Sequence, residues 1–309
     1  MTQARAEKRE VHGWIALDKP VGLTSTDAVA AIKRLFRAKK AGHAGTLDPL
    51  ASGVLPIAFG EATKTVPFVM DGRKAYRFTV RWGIETDTDD ADGRALANSD
   101  RRPSADAIRA LLPEFTGTIE QVPPRFSALK IEGERAYDLA REGAAVELAA
   151  RPVEIDRLEL TTTPDADRAV FEAECGKGTY VRAIARDIGR KLGCFGHVQA
   201  LRRMQVGPFH EENAVKLDAL AALRDQGGEE ALHGALMPVE AGLTSLPALS
   251  ISHADARRLA LGQAVILRGR DAPILEGLVS VSAQGALVAL GEVEQGSLKP
   301  RRIFHLPRQ

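Results

Sequence analysis

The most informative stretch of this sequence is Gly42-His43-Ala44-Gly45-Thr46-Leu47-Asp48-Pro49-Leu50-Ala51-Ser52-Gly53. Its only carboxylate is Asp48, and the proline that follows biases the backbone of Asp48 away from helix, toward an extended conformation. The glycines permit positive φ angles and a close approach of another backbone or a ligand. The leucines, with Val54 and Leu55 just beyond, can form an apolar floor on which Asp48 is held, with arginine as the natural partner of its charge. A surface Asp-Pro turn with an exposed His43 is the alternative.

Length and composition predict an ordinary globular chain of about two domains. The 309 residues are 44% hydrophobic and 27% charged, which excludes a mainly disordered, collagen-like or coiled-coil protein. No apolar run reaches the ~18 residues of a membrane span, and the charged N-terminus lacks the apolar segment of a secretory signal. Cys175 and Cys194 fit neither a Cys-x-x-Cys motif nor zinc spacing. We therefore expect reduced core thiols in a cytoplasmic protein without a membrane partner.

The net charge is only +1, but its distribution along the chain is uneven. Residues 19–77 hold ten Lys/Arg against four Asp/Glu, residues 176–203 seven against one, and residues 256–308 eight against four. The segment 211–255 is acidic, with two basic residues against eight acidic ones. Basic blocks separated by acidic spacers are typical of a protein that binds a polyanion. Chance clustering on a solvated surface is the alternative.

Periodicity along the chain indicates strands interrupted by helices and long loops, without regular βαβ repeats. Alternation predicts a strand over residues 76–82, whereas residues 41–60 are interpreted as an irregular, glycine-rich stretch. A later helix, which Thr179 is predicted to cap, carries three arginines opposite its apolar stripe, at Arg182, Arg186 and Arg190. This order predicts the α+β class for the first domain, and short strands after residue 246 predict a second, small β-rich domain.

Two segments partly match cofactor or metal motifs, but neither motif is complete. Gly176-Lys177-Gly178-Thr179 is similar to a phosphate loop, but Phe171 occupies the position of the first glycine that a Walker loop requires. The run that begins at Thr88 is similar to a calcium loop, but Thr88 and Ser99 stand where aspartate and glutamate ligands are required. The seven histidines show no metal-ligand spacing. We expect neither a cofactor nor a metal.

The stretch around Asp48 closely resembles the catalytic motif of the bacterial tRNA pseudouridine-55 synthase (TruB) family. Order and spacing of further signatures agree over about residues 13–207. These signatures are Leu17–Ser25, Tyr76–Phe78 with Thr86–Gly93, and Gly176–Arg182 with Leu201–Arg203. The tail resembles the family's PUA-type RNA-binding domain, most clearly in Leu290-Gly291-Glu292 and Lys299-Pro300-Arg301-Arg302. No position that the family uses for chemistry departs from its pattern.

The resemblance implies an enzyme that isomerises uridine 55 of tRNA to pseudouridine without a cofactor, after flipping the base out of the folded RNA. It implies that Asp48 is the catalytic carboxylate and that Arg182 pairs with it and keeps it ionised. Residue types do not decide whether Asp48 attacks the ribose, attacks the base or first removes a sugar proton. For Arg182 alone, a solvated helix face remains the other interpretation.

The resemblance also assigns roles around the base. Tyr76 would stack on the base and could assist proton removal at C5, although its strand position equally suits a core tyrosine. Tyr180 and Leu201 would line the base pocket. His43 would occupy the space that the flipped base vacates, where a neutral imidazole can stack and hydrogen-bond. Asp90 would order the site without touching the base.

The implied architecture is α+β, with a mixed β-sheet pseudouridine-synthase catalytic domain, flanked by helices and loops, over residues 1–245. A small β-rich PUA-like RNA-binding domain would follow over residues 246–309. An insertion at about 124–151 would grip the T-arm of tRNA, and the tail would contact the acceptor-stem side. The basic residues of the insertion include Arg125, Lys130, Arg135 and Arg141. No obligate protein partner is indicated.

Three other functions remain as alternatives. The chain could be a tRNA-binding folding or assembly factor, with or without catalysis, but intact Asp48, Tyr76 and Arg182 speak against a purely binding role. It could be a guide-RNA-dependent relative within a multiprotein particle, against which the insertion and the short C-terminal domain argue. A carboxylate glycosidase usually needs two catalytic acids about 5–10 Å apart, and the sequence offers one candidate.

Overall fold

The computed structural model describes residues 7–127, 130–131, 134–135, 148–267 and 275–307. A ten-stranded mixed sheet is built from residues 13–216, and a separate five-stranded sheet from residues 248–303. Helices flank both sheets, so the α+β class is confirmed. Among the described residues, no helix has both the length and the hydropathy needed to cross a membrane.

The chain alternates between strands and short helices. The helices are α1 (Ser25–Leu35), α2 (Val66–Asp71), α3 (Ala105–Leu111), α4 (Val181–Lys191), α5 (Leu217–Gly234) and α6 (His253–Ala260). The first ten strands are β1 (Gly13–Lys19), β2 (Ala41–His43), β3 (Ala51–Phe59), β4 (Lys74–Trp82), β5 (Ile84–Thr86), β6 (Ala95–Asn98), β7 (Gly117–Gln121), β8 (Lys130–Ile131), β9 (Glu134–Arg135) and β10 (Arg151–Asp165). The remaining strands are β11 (Arg168–Cys175), β12 (Gly196–Val206), β13 (Phe209–His210), β14 (Val215–Lys216), β15 (Ala248–Ser250), β16 (Val265–Ile266), β17 (Gly277–Ala283), β18 (Ala286–Glu294) and β19 (Ser297–Ile303).

Strand β12 lies at the centre of the large sheet. The strand order is β14-β1-β3-β12-β4-β11-β10-β7, with β2 paired to β3 and β13 to β12. Strand β12 runs parallel to β3 and antiparallel to β4. In this register Leu201 lies opposite Ala51 and Phe78, and Arg203 lies opposite Gly53 and Tyr76. The sheet therefore brings three distant sequence motifs side by side.

The expectation of an irregular stretch over residues 41–60 is wrong, because this segment contains β2 and the central strand β3. Strand β3 is buried along nearly its whole length, so its sequence shows a continuous apolar run instead of alternation. Pro56 is tolerated within it because β12 pairs with β3 only as far as Gly53, and β2 pairs with it only from Ile57 onward. The missing proline N–H leaves no break in either ladder.

Helix α4 packs against β12 and presents its apolar residues to the main core. The prediction that Thr179 caps this helix is wrong, because the N-cap residue is Tyr180 and makes no side-chain cap bond. The side chain of Gln121 instead accepts the N–H of Tyr180 and donates to its carbonyl, at 2.8 and 3.2 Å. Both cysteines, Cys175 and Cys194, are buried free thiols.

The five-stranded sheet shares an apolar cluster with the large one. Leu287, Leu290 and Phe304 pack in the same buried cluster as Trp14 and Val206. Polar contacts join the two units as well: Glu61 accepts the N–H of His305, Lys64 donates to the carbonyl of Ile303, and Glu240 accepts the N–H of Leu287. The C-terminal unit thus packs on the large sheet through a shared apolar core.

The insertion expected at about 124–151 is only partly within the described residues. Arg125 is exposed. The backbone of Lys130 lies in β8 and that of Arg135 in β9, which form a two-stranded ladder. Arg141 lies outside the described residues.

The close packing of β3 on β12 can be tested by substituting two glycines with positive φ, one in β3 and one outside it. A Cβ on Gly53 (φ +101°) would meet the carbonyl oxygen of Arg203 at 2.2 Å, whereas one on Gly22 (φ +87°) would meet nothing within 4 Å. We expect Gly22→Ala to lower the free energy of unfolding by about 1 kcal/mol through backbone strain. Gly53→Ala should lower it by at least about 3 kcal/mol, because overpacking adds to the strain. Urea unfolding measures both, and equal losses would contradict the close approach of β12.

Candidate active site

The backbone on both sides of Asp48 is hydrogen-bonded to residues 22–25, the segment that leads into α1. The buried hydroxyl of Ser25 accepts the N–H of Leu47 at 2.8 Å and donates to the carbonyl of the same residue at 2.9 Å. The N–H of Gly22 donates to the carbonyl of Pro49 at 2.7 Å. Because the residues before and after Asp48 are both fixed, the position of its carboxylate is set by the fold.

Arg182 on α4 faces the carboxylate of Asp48. Its Nε lies 3.0 Å from Asp48 Oδ2, and its side chain is only 8% exposed whereas that of Asp48 is 36% exposed. The carboxylate is therefore anchored at one oxygen by a buried guanidinium and still reaches solvent. The structure brings these two predicted residues together.

The other donors of Arg182 are also engaged. Nη1 donates to the carbonyl of Thr88 at 2.9 Å, and Nη2 donates to that of Phe126 at 3.0 Å. Asp90 Oδ2 lies 3.5 Å from Nη1, and Thr88 donates its hydroxyl to Asp90 Oδ1 at 2.5 Å. Burial raises the pKa of Asp90, against the opposing effects of the Thr88 hydroxyl and the Arg182 charge. Asp90 thus contacts the arginine at Nη1, whereas Asp48 contacts it at Nε.

The arginine stripe of α4 lies against the acidic run 85–92. Arg186 Nη1 is 3.0 Å from Asp89 Oδ2, both side chains being buried, and Arg190 Nη2 is 2.7 Å from Glu85 Oε1. The interpretation of this helix side as a solvated face is therefore wrong. The run that is similar to a calcium loop supplies counter-charges to the helix instead.

The basic side chains of residues 176–203 bind acceptors within the chain. Each of the seven Lys/Arg side chains has an intramolecular acceptor, either a carboxylate or a main-chain carbonyl. They are Lys177, Arg182, Arg186, Arg190, Lys191, Arg202 and Arg203. The charge of this block alone consequently gives no reason to expect a phosphate-binding surface there.

Tyr76 on β4 is buried and lies directly across from Arg203 on β12, whose charge acts on the phenol. Burial raises the pKa of Tyr76 to about 12, against the opposing charge of Arg203. The side chain is therefore a neutral phenol at physiological pH.

Three further predicted residues lie on β12, on β2 and directly before α4. Leu201 on β12 is buried beside the first residue of β3, and Tyr180 immediately precedes α4. His43 lies on β2, and its buried Nδ1 has no hydrogen-bond partner among the described residues. Burial, and then the charge of Arg203, lower the pKa of His43, so that its ring is neutral at physiological pH.

Lys19 and Arg203 are two buried cations that were not singled out from the sequence, although both lie in the quoted signatures. The ammonium of Lys19 donates to the carbonyls of Pro20 and Leu23 at 2.8 and 2.7 Å. Burial lowers the pKa of Lys19 to about 8, and the negative charge of Asp48 acts in the opposite direction. Their motif positions were the available signal. Within the described part of the chain, no group of three or more His, Cys, Asp or Glu could hold a metal ion.

Comparison with known proteins places the chain in a family. The description "TruB family pseudouridylate synthase (N terminal domain)" matches residues 33–181, "tRNA pseudouridylate synthase B C-terminal domain" residues 182–244, and "Pseudouridine synthase II TruB, C-terminal" residues 247–304. The tRNA pseudouridine synthase B of Bradyrhizobium diazoefficiens is 65% identical over 306 residues, which cover 98% of this chain and 89% of the relative. The chain belongs to the TruB family of pseudouridine synthases. Its membership makes it an isomerase and confirms the family resemblance.

Other TruB-type proteins agree in sequence and in fold. The tRNA pseudouridine synthase B of Brucella ovis is 54% identical over 318 residues, which cover 98% of each chain. A solved H/ACA RNP bound to a substrate RNA containing 2′-deoxyuridine holds a chain with TM-score 0.74 and 27% identity, matched over 96% of this chain and 86% of that one. A Cbf5-Nop10-Gar1 complex gives TM-score 0.73 and 28% identity, over 95% and 85%. The mixed sheet with its C-terminal unit is therefore the fold of this family.

Two ion pairs on α4 test how strongly the acidic run holds the helix. Arg186→Met should lower the free energy of unfolding by about 3–5 kcal/mol, because it leaves the buried carboxylate of Asp89 without its partner. Lys191 lies on the same helix, and Lys191→Met, which removes its exposed pair with Glu114, should cost at most about 1 kcal/mol. Urea unfolding at pH 7 and low salt compares the variants. Similar losses for both would show that the Arg186 pair is no more important than a surface one.

Proposed function

We propose that this protein converts uridine 55 in the T-arm of tRNA to pseudouridine, with Asp48 as the catalytic carboxylate. Relatives that are 54–65% identical over nearly the whole chain bear the name tRNA pseudouridine synthase B, which supports tRNA as the substrate. The observation that carries the assignment of Asp48 is its contact with the buried guanidinium of Arg182 at 3.0 Å, in a carboxylate that remains open to solvent.

The reaction breaks the bond between N1 of the base and C1′ of the ribose, and joins C1′ to C5 after the base has turned. The proton on C5 is lost and N1 gains one, so that no atom is added or removed. Among the described residues no hydrogen bond is formed to Oδ1 of Asp48, whereas Oδ2 lies 3.0 Å from Nε of Arg182. One oxygen is thus available to act on the ribose or the base as nucleophile or as proton acceptor.

Arg182 holds the carboxylate of Asp48 in position. Its charge is the nearest opposite charge to the carboxylate, and its other donors are held by Thr88, Phe126 and Asp90. An anion that is held in place before the substrate arrives needs no reorganisation during the reaction. In this proposal Asp90 orders the guanidinium and does not touch the base.

Tyr76 provides a flat, neutral surface for the base. Because burial raises the pKa of its phenol to about 12, stacking suits it better than proton abstraction from C5. Tyr180 and Leu201 would line the same pocket. His43, a neutral imidazole whose buried Nδ1 lacks a partner in the described part of the chain, would enter the space that the flipped base leaves.

RNA binding is assigned to two regions outside the reacting groups. We place the catalytic domain at residues 1–245, with the insertion at about 124–151 on the T-arm, where Arg125 offers an exposed guanidinium. We place the PUA-like domain at residues 246–309, on the acceptor-stem side. Contacts to phosphates would fix the register of the RNA, and its shape would supply the selectivity.

A guide-RNA-dependent role receives less support. The H/ACA RNP chain matches at 27% identity, whereas the Bradyrhizobium diazoefficiens tRNA pseudouridine synthase B matches at 65% over 98% of this chain. A purely binding role in tRNA folding would not require a solvent-accessible carboxylate beside a buried arginine. The enzyme acting on tRNA without a guide is the function that these observations favour.

Substituting Asp48 tests catalysis directly. Asp48→Asn should lower the single-turnover rate at least about 1,000-fold, because the amide has nearly the same size but neither charge nor basicity. The dissociation constant for a T-arm stem-loop should change less than threefold. Tritium release from tRNA labelled at C5 of uridine gives the rate, and chemical mapping of pseudouridine gives the position.

The control for this substitution is Asp71→Asn, which removes an exposed carboxylate paired with Lys177. It should retain the full rate. Pseudouridine formation by Asp48→Asn at a comparable rate would show that another group performs the chemistry. Wild-type protein that binds tRNA but forms no pseudouridine would favour the folding-factor alternative.

The tail is tested by charge reversal, since its deletion would expose the apolar cluster shared with the catalytic sheet. Arg257 and Arg302 are exposed and form no ion pair within the described residues. The double variant Arg257→Glu/Arg302→Glu should weaken binding of whole tRNA several-fold and lower its salt dependence by about 1 per lost contact. Binding of a T-arm stem-loop should not change. Arg224→Glu, in the acidic segment, is the control, and equal weakening for tRNA and stem-loop would contradict this role of the tail.

A further inference from the structure

Arg203 is a buried cation for which no role has been assigned above. Its side chain is only 2% exposed and lies at the centre of the large sheet on β12. No carboxylate among the described residues comes within ion-pair distance of it. Its donors instead reach main-chain carbonyls: Nε that of Val54 at 2.8 Å, Nη1 that of Thr46 at 3.1 Å and Nη2 that of Gly45 at 3.1 Å.

The three carbonyls that accept from Arg203 all belong to the segment that carries Asp48. Gly45 and Thr46 precede Asp48, and Val54 follows it. The guanidinium therefore binds the catalytic loop, residues 45–54, at both ends. On the other side of β12, Arg203 lies directly opposite Tyr76 on β4, and its charge lowers the pKa of the Tyr76 phenol against the effect of burial. One side chain therefore joins the backbone that carries Asp48 to the strand that carries Tyr76.

The chemistry of the guanidinium suits this task. Its donors lie in one rigid plane, so the carbonyls bound to them are fixed relative to one another. Burying the charge is costly, and burial lowers the pKa of Arg203. A neutral apolar side chain would fill the same space at a lower cost. The charge is consequently better explained by what it positions than by stabilisation of the sheet.

We propose that Arg203 is a positioning residue for the isomerisation, which sets the distance and orientation between Asp48 and Tyr76. The proposal rests on the function proposed above. Arg203 touches neither base nor ribose and acts through the loop and the phenol. Since a displacement of about 1 Å can cost about 100-fold in rate, loss of this link should slow the chemistry far more than it weakens RNA binding.

The test compares two variants of Arg203 with one of its neighbour. Arg203→Lys keeps the charge but loses the planar arrangement of donors, and Arg203→Gln removes the buried charge and keeps one amide donor group. Arg202→Met is the control, because Arg202 points to the other face of β12 and pairs with Asp18 and Glu211 at 3.0 and 2.7 Å. Folded protein is quantified by urea unfolding and by its stoichiometry of stem-loop binding.

We expect both Arg203 variants to lose at least about 100-fold in single-turnover rate per folded molecule, with the stem-loop dissociation constant within threefold of wild type. Arg202→Met should lose stability but keep its rate within threefold. In Arg203→Lys, the further substitution Tyr76→Phe should reduce the rate less than it does in the wild-type chain, because the two side chains act as a unit.

Three results would overturn the proposal. One is an Arg203 variant that folds and keeps the rate of Arg202→Met. Another is full additivity of Arg203→Lys and Tyr76→Phe. The third is that neither Arg203 variant yields protein able to bind the stem-loop, which would assign Arg203 to folding alone.

A readout without RNA separates this proposal from the proposed function. The charge of Arg203 lowers the pKa of His43 in addition to burial, so the proton NMR titration midpoint of His43 should rise in Arg203→Gln and stay constant in Arg202→Met. An unchanged midpoint in Arg203→Gln would contradict the placement of this charge behind the site. Wild-type protein inactive on tRNA, combined with the expected His43 shift, would refute the proposed function but not this placement.

Discussion

The contact between Arg182 and Asp48 is the interaction on which the rest of the site depends. A guanidinium that is almost fully buried needs polar partners, and each nitrogen of Arg182 has one: Asp48 at Nε, the carbonyl of Thr88 and Asp90 at Nη1, and the carbonyl of Phe126 at Nη2. These partners come from separate segments of the chain. The one charge therefore joins the loop that carries Asp48, the acidic run 85–92 and the segment of Phe126 around helix α4, while the carboxylate of Asp48 remains 36% exposed.

Other buried charges also hold the backbone around Asp48 and the helix α4 in place. Buried cations lie around the loop of Asp48, and most of their donors bind main-chain carbonyls, as those of Lys19 and Arg203 do. Buried acids on the run 85–92 hold the next turns of α4. In this arrangement backbone and counter-ions are fixed before substrate arrives, which is what electrostatic preorganisation requires.

Local patterns predicted the class of the fold and the strand around Tyr76, because these depend on neighbouring residues. The motif resemblance identified the family and named the residues that the structure gathers. The strand β3 escaped prediction because a strand buried on both faces lacks alternation. The pairing of α4 with the run 85–92 escaped it because Arg186 and Asp89 are 97 residues apart, and periodicity does not report such contacts.

The most direct test of the central claim is a crystal structure of the protein bound to a T-arm stem-loop, with the separation between Asp48 Oδ1 and C1′ of the target nucleotide as the measured distance. We expect a flipped nucleotide with these two atoms about 3–3.5 Å apart, and Nε of Arg182 still in contact with Asp48 Oδ2. A target base that remains stacked in the loop, or a flipped nucleotide whose ribose and base both lie beyond the reach of Asp48, would contradict it.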